Sequence, residues 1–337
     1  MNKIFMALLV AVYCLSSAAA GAYTREEVAK RGALLCGVAT GSSGFSSVDA
    51  EGRWTGLDVD FCRAVAAATL GDANLVNFLP LADNEAFTAL LTGEVDILSR
   101  HASWTFARDA GLAVNFAGII FHDGLGIMVR PELKAEKIDQ LKRVNVCQPL
   151  DNGESTILFD YLDSKNVSYK KVPYESFDLA MKGFDSGACD LISHQRSQLI
   201  GISQGPGGKG RGVVFPETFS RVALGPVVRQ GDDQWLDIVR WTLYVMIDAE
   251  HLGVNSSNVE EKRISNDLAT KRLLGMEMDT GRVLGLSKDW VVQVIRQVGN
   301  YGEVFARNLG PDSTLKMERG LNRLWDQGGL LYAPLMR

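Results

Sequence analysis

The sequence predicts an α/β fold built as two similar halves, and three observations carry the prediction. First, Thr92–His101 (TGEVDILSRH) and Ser186–Gln195 (SGACDLISHQ) share one order: a small residue, Gly, two residues, Asp, two apolar residues, Ser. Second, each copy follows an amphipathic helical segment, and each of these follows a strand segment, so the alternation is strand, helix, strand. Third, 337 residues that are 46% apolar and 22% charged suffice to bury the cores of two ordinary domains.

The elements follow in chain order. LLCGV (34–38) reads as a buried strand opening the first half, as VNVCQ (144–148) opens the second. After WTGLDVD a helix sets Leu57, Phe61, Ala64, Val65 and Ala68 on one face and stops at Gly71. LVNFLPL and YKKVPY are the next strands, NEAFTALLTG and SFDLAMKGFDSG the next helices. Gly93 and Gly187 end these helices, where φ must turn positive, and a short strand follows each. Past the first such strand lies Ser99–Asp109 (SRHASWTFARD), which crowds hydroxyls, an indole, an imidazole and two arginines where α/β proteins place ligand contacts. Beyond the second half, FPETFSRVALGPVVR runs extended into the helix DDQWLDIVRWTLYVMIDAEHLG, and more helices fill the remainder. Gly205–Gly212 (GPGGKGRG) lacks the spacing of a phosphate loop and reads as a surface turn.

Residues 1–20 carry Lys3, an apolar stretch from Ile4 to Tyr13, and Ala18 and Ala20 at signal-peptidase spacing. Cleavage is expected after Ala20, giving an exported chain, and no later window reaches about 18 uninterrupted apolar residues. Cys14 belongs to the signal, because a lipid anchor wants a small residue where Tyr13 stands. The formal charge of −5, with no basic block, argues against a nucleic-acid partner. Four cysteines remain in an oxidising compartment, and the pairing that keeps each bridge within its own half is Cys36 with Cys62 and Cys147 with Cys189. The four histidines, His101, His122, His194 and His251, lack metal-ligand spacing, so neither metal nor cofactor is expected.

The segments GFSS, WTGLDVDFCRA, FTALLTGEVDILSR, SWTFARDAGLAVNF, LGPVVRQGDDQWLDIVRWTL, QVGNYGEVF and RGLNRLWDQGGLLYAP together resemble the periplasmic solute-binding proteins of polar amino-acid transporters, in particular the general L-amino-acid branch. The resemblance implies the type II periplasmic-binding-protein fold, two α/β lobes joined by two hinge strands near Met128 and Leu224. Lobe 1 would comprise 21–127 and 226–337 with the C-terminal helices, and lobe 2 would comprise 128–225. It implies a monomeric receptor that closes on an amino acid or related small carboxylate and delivers it to an ABC permease in the inner membrane. Because the same fold hosts dehydratases of small carboxylates, an enzyme, with Glu154 and His194 as acid and base, is the rival reading.

In relatives of this kind the Ser and Arg of a Ser-x-x-x-x-Arg segment hold the ligand carboxylate; here these are Ser103 and Arg108. The planar guanidinium matches a carboxylate, and the amides opening the helix near Thr105 add neutral donors. An ordinary salt bridge of Arg108 with Asp109 or Glu85 is the structural alternative. Phe45 resembles the aromatic covering the ligand's apolar part, or is a core residue; Trp104 is a stacking wall or a lid packed on lobe 1. Lobe 2 departs from the pattern. Asp151-Asn152-Gly153-Glu154 stands where relatives usually show Gly-Thr-Thr-Thr, and Gln195, beside His194, stands where they place the acid that receives the ligand ammonium. His101 and Ala102 replace the more usual Asn and Thr. The expected ligand-contacting set is therefore Phe45, His101, Ser103, Trp104, Arg108, Asn152, Gly153, Glu154, His194 and Gln195. Asp151 and Glu154 are the candidates to compensate the missing countercharge.

Overall fold

The computed structural model describes residues 23–150, 154–205 and 207–336. The signal segment with Cys14, and Asp151, Asn152 and Gly153, lie outside the described residues. The chain opens with α1 (Thr24–Arg31) and β1 (Leu34–Val38), then the short hairpin β2 (Ser47–Val48) and β3 (Trp54–Thr55). There follow α2 (Leu57–Leu70), β4 (Val76–Pro80), α3 (Asp83–Thr92), β5 (Ile97–Leu98), α4 (Phe106–Gly111), β6 (Val114–Phe116), β7 (Phe121–Asp123) and β8 (Leu125–Val129). The second half contributes β9 (Arg143–Pro149), α5 (Glu154–Ser164), β10 (Ser168–Tyr174), α6 (Phe177–Asp185), β11 (Leu191–Gln195), α7 (Arg196–Gln204) and β12 (Val213–Val214). The chain then returns through β13 (Val222–Leu224) and β14 (Val227–Arg229) to the long helix α8 (Asp233–His251). No helix among the described residues is long and apolar enough to cross a membrane.

The sequence repeat is a topological repeat. One five-stranded sheet runs β4-β1-β5-β14-β6 and the other β10-β9-β11-β8-β12; in each, the first three strands are parallel and the fourth is antiparallel. The repeated aspartates do the same job in both halves. The Asp96 carboxylate accepts the Leu35 amide at 2.8 Å and the Asp190 carboxylate accepts the Asn145 amide at 2.8 Å, so each ties the third strand to the start of the first. Gly93 and Gly187 adopt φ of 81° and 79°, the left-handed turn that lets the helix stop and the chain re-enter the sheet. Residues 207–212 pass through turns into β12 and open no helix.

One expectation changes. The helix α2 is buried nearly all round, Val59, Cys62, Ala66 and Ala67 included, and does not show a single apolar face. One apolar core joins α2 to Trp235 and Leu243 of α8 and to Trp290 and Phe305 of the helices Trp290–Gln297 and Tyr301–Asn308. A helix covered on both sides must be apolar on both. A separate core around Val146, Leu162, Leu191 and Phe215 serves the second half.

The chain passes between the two sheets in β7 and β13, which pair antiparallel: Phe121 with Leu224, His122 with Ala223, Asp123 with Val222. Met128 is not in this crossing; it lies inside β8, paired with Ile192 and Val214 in the second sheet. Two disulfides, Cys36–Cys62 and Cys147–Cys189, with Cα–Cα separations of 6.3 and 5.5 Å, each stay within one half. They close loops of 26 and 42 residues. Replacing Cys147 and Cys189 together by alanine is expected to lower unfolding free energy by about 3–4 kcal/mol. Urea titration of the variant against the oxidised parent measures this, and a loss below about 1 kcal/mol contradicts it.

Candidate ligand-binding site

The loop after β5 is held at three levels. The Ser99 amide bonds the Gly37 carbonyl at 3.0 Å, which continues the sheet. Next, Gly225 N–H donates to Ala102 O at 3.1 Å and Trp104 N–H donates to Ala223 O at 2.8 Å, with Ser103 bridged to Leu224. Residues 102–104 thus form a further edge on the ladder that crosses between the sheets. Last, Thr105 caps α4, its Oγ1 accepting the Arg108 amide at 3.3 Å, so that donor is occupied and the six-residue helix offers fewer open amides than the sequence suggests.

Arg108 donates from Nη1 to the Ser103 carbonyl at 3.0 Å, and its guanidinium lies 5.2 Å from the centroid of Phe87. No salt bridge joins it to Asp109 or Glu85, and its other donors are not used by described residues. Burial, and then the neighbouring charge of Arg100, push its pKa down from the ordinary arginine value, yet it remains a cation. Opposite, at the end of β11, Gln195 donates from Nε2 to Ser103 Oγ at 3.2 Å. Its Oε1 is buried and accepts no hydrogen bond among the described residues. His194, next to it, packs on Phe177 with ring centroids 4.2 Å apart. Ser103, Arg108, Gln195 and His194 thus belong to two walls facing each other, both at the carboxyl ends of parallel strands.

The other expected contacts fall differently. Trp104 points away from these walls, stacked on Phe116 at 5.0 Å in a groove of about 510 Å³ with Trp241 and Tyr332, as a lid on the first sheet. Phe45 is 1% exposed, its ring edge-on to His101 at 3.9 Å and to Phe121 at 5.2 Å. His101 is buried at φ 63°, a left-handed conformation uncommon for a residue with a Cβ. Its Nε2 lies 3.3 Å from Ser197 Oγ and 3.8 Å from Asp123 Oδ2. Asn152 and Gly153 lie outside the described residues, and Glu154 opens α5. The structure adds residues the sequence did not single out. Arg100, 7% exposed, donates to the Leu81 carbonyl at 3.4 Å and to the Asp83 carboxylate. Ser197 donates to Asp123 at 2.5 Å, joining α7 to a crossing strand. Two arginines in one loop were a visible signal; the partner Asp83, opening a different helix, was not.

The model of the bacterial extracellular solute-binding proteins, family 3, matches residues 34–253. The chain belongs to that family. It is 42% identical to the general L-amino acid-binding periplasmic protein AapJ of Rhizobium johnstonii, across 100% of this chain and 99% of that protein. It is 40% identical to the glutamate/glutamine/aspartate/asparagine-binding protein BztA of Rhodobacter capsulatus, across 97% of each. Among solved structures, a periplasmic binding protein from Brucella ovis with glutathione bound shares 43% identity and a TM-score of 0.86, covering 94% of this chain and 100% of that one.

This solute-binding protein also buries a carboxyl behind the loop. Asp58, in the first turn of α2, accepts Ser99 Oγ at 3.3 Å at Oδ1, while Oδ2 has no hydrogen bond among the described residues. Burial raises its pKa to about 6, against the opposing effects of His101, Ser99 and Arg100. The folded protein therefore holds this proton more tightly than the unfolded chain. The stability so gained is full below pH 3.8 and is lost as pH rises through about 6. Asp58→Asn mimics the protonated form at every pH. The parent is expected to lose roughly 2–3 kcal/mol relative to the variant between pH 4 and pH 7. Parallel denaturant titrations check this, and a difference independent of pH contradicts it.

Proposed function

We propose that this protein is the periplasmic substrate-binding component of an ABC importer and captures an α-amino acid or related small carboxylate between two closing lobes. The observation that carries the reading is the bond from Gln195 to Ser103, which joins the two walls directly beside the free donors of Arg108. Arg108 and Ser103 take the solute carboxylate; the buried, unpartnered Oε1 of Gln195 offers an acceptor for a donor on the solute. The β7–β13 ladder is the hinge, and rotation about it closes the walls and presents the closed surface to the permease. The protein works as a monomer after export and removal of residues 1–20, with no nucleic-acid partner. The relatives' names, AapJ as a general L-amino acid-binding protein and BztA as a binder of acidic amino acids and their amides, support an amino-acid solute. They also support capture without chemistry, and a solute incubated with the protein is recovered unchanged.

The test is isothermal titration of L-glutamine and L-glutamate into parent and Arg108→Ala protein. Losing the partner of a buried carboxylate costs about 3–5 kcal/mol, which is two to three and a half powers of ten in affinity. The empty variant loses only the Ser103 carbonyl bond and the Phe87 contact, so its stability is expected to fall by about 1–2 kcal/mol. A variant that keeps its affinity and loses more stability than this places the carboxylate clamp elsewhere.

A further inference from the structure

We propose that Asp83 supplies the negative charge that lets this site accept a solute bearing an ammonium group, the role left open by the neutral Gln195. The inference rests on Arg108 as the carboxylate clamp and adds the charge class of the solute.

Asp83 opens α3, just past the end of β4, while Arg100 and Arg108 follow β5. In the sheet order β4-β1-β5 these loops emerge at the same carboxyl-end edge, with only β1 between them. Arg100 is 7% exposed, and its Nη2 bonds Asp83 Oδ1; the Asp83 side chain itself is 93% exposed. Oδ2 receives no hydrogen bond among the described residues. One carboxylate oxygen is thus fixed from behind by a buried guanidinium and the other is presented to solvent. Against partial desolvation, the bond to Arg100 and the charges of Arg100 and Arg108 hold the carboxyl below the ordinary aspartate value. The guanidinium of Arg108 lies 5.2 Å from the ring of Phe87, one turn along α3 from Asp83, so the clamp packs against the same helix end that presents Asp83.

The charge arithmetic gives the device its meaning. Without Asp83 the wall carries two guanidinium groups and selects anions, and an ammonium brought alongside the clamped carboxylate meets like charge. With Asp83 the charges alternate: Arg100 positive, Asp83 negative, solute ammonium positive, solute carboxylate negative, Arg108 positive. Asp83 also sits in the first turn of α3, where an acid favours the helix, so loss of stability alone does not identify its role.

The test measures affinities of parent, Asp83→Asn and Asp83→Glu for three probes by calorimetry. L-glutamine carries only an α-ammonium, 5-aminopentanoate only a distal one, and 2-hydroxyglutarate none. The expected result is at least a tenfold loss in Asp83→Asn for an ammonium-bearing probe, with 2-hydroxyglutarate binding as well or better, and substantial recovery in Asp83→Glu. A loss for L-glutamine assigns Asp83 to the α-ammonium, and a loss for 5-aminopentanoate alone assigns it to a distal one. Equal losses for all three probes, or retention of the ammonium probes within threefold, overturns the inference and leaves the Arg108 clamp standing. A parent that binds none of the three overturns both readings together.

Discussion

The loop that carries the proposed clamp is bonded by its main chain to the strand that crosses between the lobes. Trp104 donates to Ala223, Gly225 donates to Ala102, and Ser103 is bridged to Leu224. Backbone bonds of this kind leave the loop little freedom to move apart from the crossing strand. In the proposed reading, a solute held by Ser103 and Arg108 is held by the crossing strand itself. The crossing is tight: a Cβ at Gly225 would lie 2.1 Å from the Gly118 carbonyl, so glycine is required where the two passages meet. On the other side, Asn322 accepts the His122 amide at 2.7 Å and donates to the His122 carbonyl at 3.0 Å, so the C-terminal segment braces the first crossing strand.

Behind the loop, polar groups from four parts of the molecule meet in the interior. Asp58 comes from α2, His101 from the ligand loop, Asp123 from a crossing strand and Ser197 from α7 on the opposite half. Burying such groups is costly unless each finds a partner, and here each partner lies on a different element. Only when loop, crossing strand and facing helix take these relative positions does Ser197 meet both Asp123 and the Nε2 of His101, whose Nδ1 has no hydrogen-bond partner among the described residues. The cluster thus favours one arrangement of the walls over others, which apolar packing alone does less well.

What the sequence made legible was local or repeated. The paired Gly-x-x-Asp-apolar-apolar-Ser units marked both sheets, because each half solves the same problem with the same aspartate-to-amide bond. The cysteine pairing followed from keeping each bridge in its own half. What stayed hidden depends on partners far along the chain. The helix α2 was read as having one apolar face because the C-terminal helices that cover its other side lie more than two hundred residues away. Trp104 was ambiguous until Phe116, Trp241 and Tyr332 appeared around it. Arg100 was in view, yet its pairing with Asp83 joins loops after two different strands, and a charged residue opening a helix ordinarily signals nothing beyond the helix dipole.

Everything proposed for the site turns on whether Arg108 and Ser103 hold a solute carboxylate at the loop bonded to the crossing strand. The most direct measurement is a crystal structure of the protein purified with whatever solute it carries, the solute identified by mass spectrometry of the same sample. The expected result is a small carboxylate whose oxygens lie within hydrogen-bond distance of the Arg108 guanidinium and Ser103 Oγ, between the first wall and Gln195. A solute bound with Arg108 engaged only by the Ser103 carbonyl, or seated outside the two walls, would contradict it.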